Sequence, residues 1–358
     1  MKNAIPLLLS LTLALSACAG PITAGPQASK SEIQAEAQRQ NELVYQKFIE
    51  DQNRIYKISF PIMTANAEFC GDKSKPLAGM TAWNIHTVPT QFRPSAKNLF
   101  NLGERLAVQH LARNSPASRA GILSGDIFVS INGQPVLQGK EALKQADQLL
   151  KSAGDRQSQI VIERNGKTFE KILQPVQGCD FPVVLDYNNS QINAFADGTR
   201  IIMTKGIIRF AENDNEIAMI IAHELGHSAL THVNKLRQNA MIGTIGGLIV
   251  DSLFAAGGVS TGGQFGQLGG HMGAMQHSVA FEQEADYVGM YFMERAGFDS
   301  ANVANFWRRM AAEGQSSINQ RTTHPTSPER FLAMEGTHRE INDKKSRNAA
   351  LVPNLKKN

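Results

Sequence analysis

Asn213-Asp-Asn-Glu-Ile-Ala-Met-Ile-Ile-Ala-His-Glu-Leu-Gly-His-Ser-Ala-Leu-Thr-His-Val-Asn-Lys235 is the stretch from which the rest of the chain is read. Asn213, with Glu216 three residues on, has the pattern of a capping box, so a helix starts here. Ile217 to Ala222 is apolar nearly all round, which buries that helix. His223 and His227 stand one helical turn apart and project from the same face. Two neutral imidazoles at that spacing can hold a zinc ion at about 2.0–2.1 Å each. Glu224 sits beside them, within reach of a water on such an ion. Left without a metal in an apolar helix, the pair would carry a desolvation cost unless the backbone satisfied it.

The arrangement is the HExxH pattern of zinc peptidases, in which the intervening Glu is the general base. A catalytic zinc needs a third protein ligand and one open position. An extended form of the motif would place Gly and His where Leu230 and Val233 stand, and His232 is out of phase by one residue. The better third ligand lies in Phe281-Glu-Gln-Glu-Ala-Asp-Tyr287, within an apolar-periodic helix running to about Ala296. Glu282 and Asp286 share one face there. Glu282 is the candidate ligand, Asp286 the acceptor for the second ring N–H of a ligand histidine, and Glu284 faces elsewhere.

Composition is ordinary for a chain that can bury a core: 358 residues, 42% hydrophobic, 19% charged, net charge +4. The mild charge and the lack of a basic block exclude a nucleic-acid partner. Lys2, the apolar run Pro6 to Leu15 and Ser16-Ala17-Cys18 read as a secretory signal over residues 1–17, too short to span a membrane. Leu15-Ser16-Ala17-Cys18 resembles the lipobox of bacterial lipoproteins. That implies a lipid on Cys18 and a tether over 18–30, and Ala19 after the cysteine implies sorting to the outer membrane, facing the periplasm. The remaining cysteines, Cys70 and Cys179, are an even pair in an oxidising compartment and are expected to form a disulfide.

Residues 31–69 hold an amphipathic helix, from Ser31 to about Lys57, with Leu43, Val44, Phe48, Ile49 and Ile55 on its packing face, and a connection. The unit over 70–179 carries Ser115-Pro-Ala-Ser-Arg-Ala-Gly-Ile-Leu-Ser-Gly-Asp-Ile-Phe-Val-Ser-Ile-Asn-Gly-Gln-Pro-Val136. Ile127, Val129 and Ile131 alternate as in a strand, and Asn132-Gly133 and Asn165-Gly166 are hairpin turns around a helix near 139–152. This unit resembles the bacterial PDZ domain. The resemblance implies capture of peptide C-termini, with Leu77, Ala78, Gly79 and Met80 as the carboxylate-binding loop; a spacer or gate is the alternative. Cys70 and Cys179 flank it, so their bridge would clamp its base.

The pairing of HExxH with a Glu-x-x-Ala-Asp helix resembles the HtpX, BepA and Oma-type metallopeptidases, over nearly all of 185–335. Asn193-Ala-Phe-Ala196 and Thr199 to Gly206 resemble that family's substrate-facing edge strand, and substrate is expected to pair near Ile201–Met203. Thr323-His-Pro325 with Arg330 resembles the segment that closes over the site, where His324 would donate to the oxyanion or plug the open metal position. The fold class implied is α+β: a mostly helical zincin-like domain over 181–340 with a small edge-exposed sheet, a β-rich PDZ domain and an N-terminal helix. The function implied is a one-zinc endopeptidase of the bacterial envelope acting on unfolded or misassembled proteins. A chaperone or assembly factor with a latent peptidase site is the alternative; a cell-wall amidase fits the PDZ unit poorly. Met241 to Gly273, rich in glycine, reads as a lid, as a surface for membrane or partner, or as a plain loop. Residues 341–358 read as a polar, frayed tail.

Overall fold

The structure is a computed structural model that describes residues 25–256, 278–313 and 328–354 and six further positions, 23, 262–264, 267 and 268. Ser29 caps the first helix, α1 (Lys30–Ala65): its hydroxyl accepts from the Glu32 amide, and its own amide donates to the Glu32 carboxylate at 2.7 Å. The helix runs two turns beyond the expected end near Lys57 and passes through Pro61. Tyr45, Asp51, Ile55, Ile58 and Ile62 form its buried line, whereas Leu43 and Val44, expected to pack, are exposed. A helix turns about a hundred degrees per residue, so of three consecutive apolar residues one takes the inward place. Here Tyr45 takes it, stacked on Phe92 at 5.2 Å. The two halves of α1 serve different cores: Tyr45 packs with Trp83, Ile85 and Leu102, and Ile55, Ile58, Ile62 and Met63 pack among the helices that carry the histidines.

Next comes a unit of strands β1 (Ser74–Leu77), β2 (Met80–Trp83), β3 (Ala107–Leu111), β4 (Ile127–Ile131), β5 (Gln134–Pro135), β6 (Ser158–Arg164), β7 (Lys167–Leu173) and β8 (Val176–Cys179). Helices α2 (Arg93–Phe100), α3 (Pro116–Arg119) and α4 (Ala142–Ala153) lie between them. The main sheet has the order β2-β3-β4-β6-β7, with β5 on β4. Both Asn-Gly pairs lie in left-handed backbone, φ +50° and +77° at Asn132-Gly133 and +51° and +74° at Asn165-Gly166, as a two-residue hairpin requires. Val108, Phe128, Ile131, Ile160 and Ile162 of the sheet close a core with Ala142 and Ala146 of α4. β1 and β8 pair antiparallel at the base, and Cys70 and Cys179 are joined in a disulfide there.

The remainder has strands β9 (Val183–Asp186), β10 (Ala194–Ala196) and β11 (Ile201–Thr204), then helices α5 (Lys205–Phe210), α6 (Asp214–Ala229), α7 (His232–Ala256), α8 (Ser278–Arg295), α9 (Val303–Glu313) and α10 (Pro328–Ser346). The strand order is β10-β11-β9, so Ile201–Met203, expected to meet substrate, is the middle strand, and β10 is the terminal one beside α6. The parallel β9 partner of β11 comes from the connection after the disulfide, which the edge-strand expectation did not include. Of Met241 to Gly273, expected as a lid, a surface for membrane or partner, or a plain loop, residues 241–256 are helical as part of α7, with Met241, Ile242, Ile245, Leu248 and Ile249 exposed, and most of the rest lies outside the described residues. The expected frayed tail is packed as far as Asn354: Ile341 is fully buried, Arg295 donates to the Leu351 carbonyl, and the Asn354 amide donates to the Tyr287 hydroxyl at 2.9 Å. Among the described residues no helix is long and apolar enough to cross a membrane.

Candidate metal centre

Asn213 caps α6 as its sequence suggests, accepting from the Glu216 amide at 3.1 Å. The Glu216 carboxylate does not close the box on Asn213; it accepts from the Glu212 amide at 2.8 Å and pairs with Arg309. From this start α6 runs buried through Ile217–Leu225, so His223 and His227 face α8 with 0% and 7% of their surface exposed. α8 presents Glu282 to both. His223 Nε2 and His227 Nε2 are 3.1 Å apart, His227 Nε2 is 3.2 Å from Glu282 Oε1, and His223 Nε2 is 3.4 Å from Glu282 Oε2. Tetrahedral zinc with ligands at roughly 2.0–2.1 Å separates its donor atoms by about 3.3–3.4 Å. The three side chains therefore converge at spacings that suit one small cation, each imidazole nearest a different oxygen of Glu282. Glu224 is buried beside them at 1% exposure, and its charge is felt at His227 and Arg330.

The charges around the donors fit a divalent cation. Glu224, Glu282 and Asp286 are buried carboxylates, and Arg330 is a buried guanidinium, exposed by 1%. Among the described residues, three carboxylates against one guanidinium leave a formal charge of −2 with neutral imidazoles. A buried net charge of that size is costly unless it is neutralised.

Asp286 lies 2.9 Å from His223 Nδ1, and Arg330 grips Asp286 with two hydrogen bonds of 2.7 and 2.9 Å while reaching Glu282 at 3.2 Å. Burial alone would depress the His223 imidazole, but the Asp286 and Glu282 carboxylates outweigh it and hold its pKa above the ordinary value. Burial would likewise raise Asp286, and His223 and Arg330 outweigh that and hold it low. At His227 burial prevails, joined by the charge of His223, and the pKa falls. Trp307 of α9 walls the site, 5.2 Å from His223 and 5.4 Å under the Arg330 guanidinium.

Two residues that sequence reasoning set aside belong here. His232, wholly buried, has its Nδ1 3.1 Å from His227 Nδ1, and its Nε2 3.0 Å from Glu284 Oε2. A sequence signal existed: a carboxylate and a histidine in the two motif segments with no assigned task. The structure does not bring Leu77, Ala78, Gly79 and Met80 to this centre. They join β1 to β2, where the Gly79 carbonyl accepts from Ala112 and the Ala78 carbonyl from Ala117. A Cβ at Gly79 would lie 2.2 Å from the Ser115 Cβ and 2.9 Å from the Phe60 ring, which ties this loop to α1. His324, Thr323 and Pro325, and Cys18, lie outside the described residues.

Comparison with known proteins agrees with both parts of the chain. The profile of peptidase family M48 matches residues 157–338, and that of the PDZ domain matches residues 110–164. The two overlap in β6, which pairs with β4 and so is part of the main PDZ-type sheet. The "Beta-barrel assembly-enhancing protease" of Yersinia pestis is 29% identical over 140 residues, covering 36% of this chain and 28% of that protein. The "Mitochondrial metalloendopeptidase OMA1" of Schizosaccharomyces pombe is 30% identical over 149 residues, 40% of this chain and 42% of that one. The "Metalloprotease LoiP" of Escherichia coli K12 is 32% identical over 149 residues, 40% of this chain and 58% of that one. The chain thus spans just over a quarter of the length of the first of these relatives.

Proposed function

The chain belongs to peptidase family M48, and from that premise we propose that it is a zinc-dependent endopeptidase of the bacterial envelope, acting on unfolded or misassembled proteins. The observation that carries the reading is the convergence of His223 Nε2, His227 Nε2 and the two carboxylate oxygens of Glu282, with neighbouring atoms 3.1–3.4 Å apart. In this reading His223, His227 and Glu282 hold one zinc ion. Zinc, when bound, supplies a Lewis acid that polarises the scissile carbonyl and lowers the pKa of a water to about 7.

Glu224 is the general base: it takes the proton from the attacking water and delivers it to the leaving amine. Asp286 holds the ring of His223, and Arg330 fixes Asp286 so that its charge stays aimed at that ring. Substrate lies as an added strand beside β10, the terminal strand against α6, which favours unfolded or loosely held segments over folded ones. We divide the chain into a signal (1–17), a tether lipidated at Cys18 (18–30), a helix and connection (31–69), a PDZ domain (70–179) that takes peptide C-termini at Leu77–Met80, and a peptidase domain (181–340). The lipid and the signal place the enzyme in the periplasm at the outer membrane. His324 plugs the open position and keeps the enzyme latent.

The experiment is Glu224→Gln. The variant is expected to retain zinc and fold but to lose hydrolysis of an unfolded substrate such as casein, because a base is removed and not a ligand. Retained turnover would refute the mechanism.

A further inference from the structure

We propose that His232 and Glu284 form a hydrogen-bonded relay that locks the imidazole of His227 in one tautomer and one orientation, and so sets the affinity of the centre for zinc. The proposal rests on reading His223, His227 and Glu282 as the zinc ligands.

The proton positions follow from the atoms that meet. His227 turns Nε2 towards Glu282 and His223, so as a neutral ligand it carries its proton on Nδ1. The atom facing that Nδ1–H, at 3.1 Å, is Nδ1 of His232. Two ring nitrogens share a hydrogen bond only if one is bare, so His232 Nδ1 is the acceptor and its proton resides on Nε2. Nε2 is the atom 3.0 Å from the Glu284 carboxylate, which can only accept. Each group fixes the proton of the next: Glu284 sets the tautomer of His232, and His232 sets that of His227. Neither histidine can flip its ring without losing a bond in a buried place.

The elements that hold the relay are local. α6 ends at Ala229, and Thr231 adopts the left-handed backbone, φ +57°, so the chain turns and sets His232 at the start of α7 against His227 of α6. Phe281 stacks on the His232 ring, centroids 4.6 Å apart and planes 24° apart, and fixes its plane. Phe281 and Glu284 lie three residues apart on α8, one on either side of ligand Glu282, with Asp286 just beyond. Two turns of α8 thus supply one ligand and the supports of both histidines: Asp286 for His223, and Glu284 through His232 for His227. The two supports differ for an electrostatic reason. A carboxylate placed directly on His227 would add another negative charge to a buried site that already carries an excess of them. The interposed imidazole passes on the hydrogen bond while the charge stays on Glu284, whose side chain is 46% exposed.

The test measures zinc affinity of the full chain by competition with a chromophoric chelator, with circular dichroism as the check on folding. His232→Leu removes the acceptor and is expected to weaken zinc binding by about 10–100-fold. His232→Asn keeps an acceptor oxygen and is expected to recover most of the loss. Glu284→Ala, at a half-exposed position that the fold tolerates, is expected to weaken binding by about tenfold, and Glu284→Gln, which still accepts, by less. Wild-type affinity in folded His232→Leu or in Glu284→Ala overturns the relay, as does His232→Asn binding no better than His232→Leu. A role in packing alone would lower stability and leave the affinity of the folded protein unchanged. Failure of the wild type itself to take up zinc would instead overturn the reading of the centre on which the relay rests.

Discussion

Gly289 of α8 faces the backbone of α6 at the first histidine. A Cβ built there would lie 2.9 Å from His223 N, 3.0 Å from His223 Cα and 3.1 Å from the Ala222 carbonyl carbon. Ordinary contact starts near 3.4 Å, and all three neighbours are main-chain atoms of a buried helix, so none can swing aside. Gly289→Ala therefore has to push the helices apart by about 0.3–0.5 Å, and forcing a methyl into packed structure costs about 1–3 kcal/mol. Helix propensity acts the other way, favouring Ala over Gly by about 1 kcal/mol. The steric term prevails, and the net effect is a loss of about 0–2 kcal/mol.

The consequence for the metal is larger. Glu282 and Asp286 ride on α8, and a metal site tolerates displacements of only about 0.2 Å in its ligand distances. Gly226 of α6 supplies the contrast: a Cβ there would meet Ala285 O at 3.3 Å and Ala285 Cα at 3.4 Å, nearly ordinary contact. Gly226→Ala is thus expected to keep most of the propensity gain. Thermal unfolding and zinc titration of the two variants beside wild type check the reasoning. Gly289→Ala should melt lower than Gly226→Ala and bind zinc more weakly than wild type. If Gly289→Ala is as stable as Gly226→Ala and binds zinc normally, the close approach of the two helices does not constrain the site.

Replacing Cys70 and Cys179 together by Ala frees a loop whose ends are 109 residues apart, and should cost up to about 4–5 kcal/mol, read as a shift in the urea midpoint against wild type under oxidising conditions. His110, 6% exposed, is pushed down to about 4 by burial and by Lys57, so it folds neutral. Its contribution is complete above the unfolded value near 6.5 and is lost as pH falls towards 4, on the order of 3 kcal/mol in all; His110→Leu should flatten the urea midpoint between those pH values. His324→Ala should raise basal casein cleavage if the residue plugs the site, and a large fall in rate would reject latency.

What could be read from the sequence was local. The α6 helix announces itself by its cap and apolar run, the two hairpins by Asn-Gly, and the candidate third ligand by the spacing of Glu282 and Asp286 on one helix face. What escaped depends on turns between elements and on distant partners. His232 was set aside because it misses by one residue the place of the third histidine in the extended motif, but its contact with His227 depends on the end of α6 at Ala229 and the turn at Thr231, which motif spacing does not signal. The stretch from Met241 left lid, contact surface and loop open, and its helix was not foreseen because Gly243, Gly246 and Gly247 each disfavour a helix by about 1 kcal/mol, yet α7 runs through all three. The polar composition after Asn342 hid the contacts of Leu351 and Asn354 with α8. β11 acquires its second neighbour only through β9, a parallel pairing that no local pattern signals.

The buried charges of the centre make one further outcome calculable in sign. Without a metal, the donors and Glu224, Asp286 and Arg330 leave negative charge in excess, and His223 meets it by binding a proton: the carboxylates of Asp286 and Glu282 overcome burial and raise its pKa above the ordinary 6.5. Zinc requires that same nitrogen bare, so metal and proton compete for one imidazole. His227 does not compete, since burial and the charge on His223 hold its pKa below 6.5. Uptake of zinc by the chelator-treated protein at pH 6 should therefore release about one proton, and apparent affinity should fall as pH is lowered through the raised value of His223. Calorimetry in two buffers of different ionisation enthalpy counts the proton directly. Asp286→Asn, which removes the nearer carboxylate, should lower the pKa of His223 and shift the loss of affinity to more acid pH. If no proton is released at pH 6, or if Asp286→Asn leaves the pH profile of zinc binding where it was, His223 is not the group that balances the buried carboxylates.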